Sequence, residues 1–97
     1  MFQFIKLKTF IQAKIDQRIR RNSNRLVIKA MKYGRFSMPK IRKALVDLND
    51  INIPDLANGT VAPATMYATL QGKRQNKAAM DLLADSLDLK TREIFPS

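Results

Sequence analysis

The stretch Leu56–Leu70 reads LANGTVAPATMYATL and is followed by the polar, basic run Gln71-Gly72-Lys73-Arg74-Gln75-Asn76-Lys77. Val61, Met66 and Leu70 recur at spacings of five and nine, the pattern of anchors that hold a second helix against a first across a tight corner. Ala57 supplies the small residue that such a crossing needs, and Asn58-Gly59 the turn. Ala62, Ala64, Thr65, Tyr67 and Ala68 lie between the anchors and are expected to face outward. A face of small side chains with a few hydroxyls and an amide (Gln71) can approach base edges closely, and alanine can touch thymine methyls. Lys73, Arg74 and Lys77, with the amide of Asn76, can then meet phosphates beside it. Asn52, just upstream, joins the candidate contacts. The chemistry implied is non-covalent recognition of a polyanion.

Bond-making chemistry has little to work with. The 97 residues contain no histidine and no cysteine, which removes the commonest general base, thiol nucleophiles and thiolate metal sites. Asp81, Asp85 and Asp88 share a helical face at spacings of four and three, but such a trio reads first as a solvated acidic face rather than a cation site. No glycine-rich phosphate loop or nucleophile elbow is present. A non-enzyme is expected, with no cofactor, no metal and no small-molecule substrate.

Charge agrees with a polyanion partner. The net charge is +10, and it is unevenly placed: residues 1–43 carry 13 Lys/Arg against Asp16 alone, while residues 44–97 carry five bases against seven acids. No apolar run approaches the ~20 residues of a membrane span. Lys6 and Lys8 interrupt the apolar start, so a signal peptide is not expected, and the reading is of a cytoplasmic, nucleoid-associated protein.

The elements that must position these residues are helical. Ser37 is the expected N-cap of a helix over 38–50, with Ile41, Ala44, Leu45 and Leu48 on one face. Asn52 caps a short helix over 53–57, Pro63 starts one running to about Gln71, and Asn76 caps one over 77–87. Thr91 is expected to cap a last turn over 92–95, before Pro96. In the 77–87 helix, Ala79, Leu82, Leu83 and Leu87 form the packing face. The fold class is therefore all-α: a compact bundle of about five short helices over 37–97 containing a helix-turn-helix, preceded by a basic amphipathic extension over 1–36.

Within the extension, Phe4, Leu7, Ile11, Ile15 and Ile19 recur at helical spacings, predicting an amphipathic helix over about 4–20. Asn22-Ser23-Asn24 reads as a break. Arg25–Tyr33 then favours a second helix, with Gly34 after its end; the alternative is a hairpin pairing 18–21 with 25–28. The apolar stripe either packs on the chain's own core, pairs two copies, or lies on a membrane surface, and a homodimer is the preferred partner state. Arg18, Arg20, Arg21 and Arg25 are candidate phosphate contacts.

Residues 53–97 resemble the Ner-like regulators of transposable phages, within the lambda-repressor-like group. The resemblance rests on Leu56, on APATMYATL (62–70) and on the ending LLADSLDLKTREIFPS (82–97). It implies a five-helix domain that binds double-stranded operator DNA and represses transcription. It would make Pro63–Gln71 the reading helix and place Lys73 and Arg74 on phosphate. The alternatives are an antitoxin, an architectural or recombination-directionality DNA-binding protein and, further off, a membrane-surface or RNA-associated basic protein.

Overall fold

Residues 2–96 are described by the computed structural model, with side chains from Thr9 onward. Phe4 and Leu7 of the expected stripe lie outside the described side chains. The chain is all-α, with six helices among the described residues: α1 (Phe2–Tyr33), α2 (Met38–Leu48), α3 (Ile53–Ala57), α4 (Pro63–Leu70), α5 (Lys77–Ser86) and α6 (Thr91–Ile94).

Helices α2 to α6 start and stop for local reasons. The Asn52 carboxamide oxygen accepts the Asp55 N–H at 3.0 Å, and that of Asn76 accepts the Ala79 N–H at 3.0 Å, so both cap orphan N–H groups. Pro54 and Pro63 sit in first turns, where a missing N–H costs nothing. Ser37 occupies the N-cap position of α2, but only its backbone carbonyl is engaged, by the Ile41 N–H. The cap of α6 is Lys90 rather than Thr91. The Glu93 carboxylate accepts the Lys90 N–H at 2.7 Å, while the Thr91 hydroxyl donates to Asp81 at 2.7 Å, a partner ten residues away.

The core gathers Ile41, Leu45, Val46, Ile53, Ala57, Met66, Leu70, Ala79, Leu83, Ala84, Leu87, Leu89 and Ile94, with Ile28 from α1. Leu48, expected on the inner face of α2, is 66% exposed, because the buried face is centred on Ile41, Arg42, Leu45 and Val46 and Leu48 falls to one side of it. The inward position goes instead to Arg42, 5% exposed. Its Nε donates to the Leu70 carbonyl at 2.9 Å and its Nη1 to the Ile94 carbonyl at 2.7 Å. Its guanidinium also stacks 4.5 Å from the Phe95 ring centroid. One side chain thus ties α2 to the C-terminal ends of α4 and α6, satisfying carbonyls those helices leave open. Burial lowers the Arg42 pKa, but a guanidinium stays charged at any relevant pH.

The extension departs most from expectation. There is neither a break nor a hairpin at Asn22-Ser23-Asn24: α1 is continuous. Asn24, 4% exposed, does not turn the chain on itself. Its Nδ2 donates to the Leu87 carbonyl at 2.9 Å, and its Oδ1 accepts from Asn49 Nδ2 at 2.9 Å. These distant partners outcompete the local backbone bonds that make Asn a turn former. Ile28 is buried below it, and Val27 and Met31 are partly buried against the core.

Of the three acids expected to form a solvated face, Asp85 is exposed, Asp81 accepts from the Thr91 hydroxyl, and Asp88 is where α1 docks. Asp88 takes hydrogen bonds from Gln17 Nε2 at 2.9 Å and from Arg20, while Arg21 Nε donates to the Asp88 carbonyl at 3.0 Å. Arg25 Nε meets Glu93 at 2.7 Å. Among the described residues no group of three His, Cys, Asp or Glu side chains could hold a metal. The uneven charge of the sequence is therefore partly an internal complementarity, with basic helix against acidic α5–α6 end.

Among the described side chains, the stripe does not pack on the chain's own core. Ile11 (48% exposed), Ile15 (45%), Ile19 (58%), Leu26 (67%) and Tyr33 (92%) are all uncovered. Asn24 is nine residues beyond Ile15, two and a half helical turns, so the docked face and the stripe are on opposite sides of α1.

Candidate nucleic-acid interface

The corner between α3 and α4 has the features that its sequence announces. Ala57 is buried, and its carbonyl accepts the Thr60 N–H at 2.8 Å and the Val61 N–H at 3.4 Å. Asn58 (φ 32°) and Gly59 (φ 78°) are both left-handed, which turns the chain sharply enough to set α4 across α3. Met66, Thr69 and Leu70 point into the core, and Val61 is half-buried against it. Thr69 satisfies its buried hydroxyl on the Thr65 carbonyl at 2.7 Å.

With those three positions inward, the outer side of α4 is fixed. Ala62, Ala64, Tyr67 and Gln71 are exposed, and Thr65 and Ala68 are partly so. The helix ends where Gly72 (φ 80°) lets the Lys73 N–H reach the Ala68 carbonyl at 2.9 Å, launching the basic loop from the end of α4. Arg74 Nη1 donates to Thr65 Oγ1 at 3.2 Å, so this cation lies back over the helix rather than extending from it. Lys73 and Lys77 are exposed. The side-chain oxygens of Asn52 and Asn76 are committed to capping, which leaves only their amide N–H groups to offer a ligand.

Two lysines missed in the sequence complete the surface. An open depression of about 560 Å³ runs between α2, α3 and α4, and Lys40 and Lys43 line it together with Asn52, Tyr67 and Gln71. Nothing in local sequence marks these lysines, since they are two of 13 bases before residue 44. Only the α2–α4 packing sets them beside the outer residues of α4.

The arginines of the extension are placed elsewhere. Arg20, Arg21 and Arg25 are engaged with Asp88 and Glu93, and Arg18 is exposed on α1. Burial raises the Glu93 pKa, but the hydrogen bonds from Arg25 and from the Lys90 N–H, with the charges of both residues, outweigh it and leave the carboxyl below its ordinary value. Among the described residues, no helix is long and apolar enough to cross a membrane. No family model, curated protein or solved structure matches the chain.

Proposed function

We propose that this chain is a DNA-binding transcription regulator, a repressor of phage or mobile-element type, that presents α4 to the major groove. The observation carrying this reading is the outward face of α4. Small residues there permit close approach, the helix is braced by a left-handed corner behind it, and Lys40, Lys43, Lys73, Arg74 and Lys77 flank it. The resemblance of residues 53–97 to Ner-like regulators supports the same reading.

In this arrangement the lysines and Arg74 position the domain on phosphate, while Thr65, Tyr67 and Gln71 supply hydrogen bonds to base edges and Ala64 and Ala68 supply methyl contacts. So few polar readers imply modest discrimination per copy, supplemented by the shape of the DNA. The test is binding to duplex DNA flanking the chain's own gene, measured against salt. Neutralising roughly six phosphates gives a log–log slope of about −5. A slope near zero for every duplex tried refutes the reading. Lys40→Ala, Lys43→Ala and Lys73→Ala should each reduce the slope by about one and weaken specific and non-specific DNA alike.

A further inference from the structure

Two threonines one turn apart on α4 use their hydroxyls differently. Thr69, buried, donates to the Thr65 carbonyl at 2.7 Å, the ordinary bond of a helical threonine to the carbonyl four residues back. Thr65, partly exposed, makes no such bond. Its Oγ1 instead accepts from Arg74 Nη1 at 3.2 Å, nine residues further along, and among the described residues its O–H meets no acceptor. We infer, resting on the proposed docking of α4 in the major groove, that Arg74 is a positioning residue. It joins a phosphate contact to base reading, and it makes Thr65 a hydrogen-bond donor selective for the acceptor edge of guanine.

The loop backbone sets up this contact. Gly72 (φ 80°) turns the chain so that its own N–H reaches the Thr69 carbonyl at 3.1 Å and the Lys73 N–H the Ala68 carbonyl at 2.9 Å. Asn76 pins the other end of the loop as the cap of α5, so Arg74 is held between two fixed points. Thr65 is the third residue of α4, in the N-terminal turn that meets base edges when such a helix docks. A guanidinium carries its N–H donors in a rigid fork, so the one on Thr65 leaves the others for a phosphate beside the helix. A free threonine hydroxyl both donates and accepts, and therefore reads bases of either kind. Here a cation occupies the accepting side. It repels the exocyclic amino groups of adenine and cytosine, which are donors, and leaves the O–H to give. Guanine presents two acceptors on its major-groove edge, O6 and N7, and no donor.

The probe is a pool of duplexes randomised over one helical turn, selected by the full chain and by each variant, with the salt slope measured on the duplex that the wild type selects. Neither Thr65 nor Arg74 is a core residue, so the variants keep the fold. The wild type should enrich guanine at one position, and Thr65→Val should lose that preference, by about five- to tenfold, without a change of slope. Thr65→Ser, which keeps the hydroxyl, should keep the preference. Arg74→Ala should relax the same position and also lower the slope by about one, whereas Lys73→Ala should lower the slope by about one and leave guanine selected. Thr65→Val combined with Arg74→Ala should discriminate no less than Arg74→Ala alone, because the two side chains act as one unit. If Arg74→Ala lowers the slope but leaves guanine selected, or if the two single variants relax different positions, the coupling is overturned while the docking of α4 survives. Selection of adenine or cytosine at the position that Thr65→Val relaxes overturns it too, and so does a wild type that binds with a salt slope but selects no base. A slope near zero on every duplex removes the proposed function and the coupling together.

Discussion

Arg42 offers the sharpest test of how the domain is held together. Arg42→Ala removes donors from the buried Leu70 and Ile94 carbonyls and the cation over Phe95. Each abandoned carbonyl costs about 1–3 kcal/mol, and the ring contact contributes about 1 kcal/mol. Relief of the guanidinium's own desolvation offsets part of this, leaving a net loss of about 3 kcal/mol. A chain of this length has a total stability of about 5–15 kcal/mol, so the loss is a large fraction of it. At about 4–8 °C per kcal/mol, the melting temperature should fall by about 15 °C. Arg42→Lys keeps the charge but not the planar fork, so it should lose about half as much. Urea denaturation followed at 222 nm measures all three proteins. If Arg42→Ala unfolds within about 0.5 kcal/mol of wild type, the buried role is wrong. If it weakens DNA binding at an unchanged urea midpoint, the guanidinium serves phosphate rather than the core.

Asn24→Ala should cost about 2 kcal/mol, because it strands the Leu87 carbonyl and the Asn49 amide, and hydrogen exchange should quicken selectively in α1. Glu93 has a lowered folded-state pKa, so its pairing contributes above the unfolded value of about 4.3 and is lost as pH falls through the folded one. The stability gap between wild type and Glu93→Gln, under about 1 kcal/mol for so exposed a partner as Arg25, should therefore close between about pH 6 and pH 3; a gap that widens on acidification contradicts the pairing. Gly72→Ala should destabilise by about 1–2 kcal/mol, since φ is 80° and the new Cβ would stand 3.3 Å from Arg42 Nη2. Ala64→Glu should abolish DNA binding while leaving the melting temperature nearly unchanged, because Ala64 is exposed; unfolding would mean that α4 is rotated from its described orientation.

Helices α2 to α5 were legible because their signals are local. Asn52 and Asn76 cap within three residues, prolines mark first turns, and Val61, Met66 and Leu70 repeat at corner spacing. What was not legible depends on distant partners. Asn24 has the residue type of a turn and the environment of a core, and the difference lies in Leu87 and Asn49. Arg42 is one base among many until α4 and α6 close over it. Asp88 reads as a solvated acid because nothing in its own segment shows Gln17, Arg20 and Arg21 some 70 residues earlier. The outer residues of α4 were found from spacing, whereas Lys40 and Lys43 joined them only through packing.

The unbroken α1 also has a mechanical consequence. It contains no glycine or proline from Phe2 to Tyr33 and therefore no built-in hinge. Gln17, Arg20 and Arg21 hold it to Asp88, and Gln17 is about 22 Å from the first turn at 1.5 Å per residue. The helix is thus a lever whose outer arm reaches past the Asp88 contacts. A tilt of about 10° there would sweep the far end through about 4 Å. Any event that loosens those contacts is amplified at the tip, so the geometry of whatever meets the outer end of α1 is governed by one aspartate about 70 residues away in the chain.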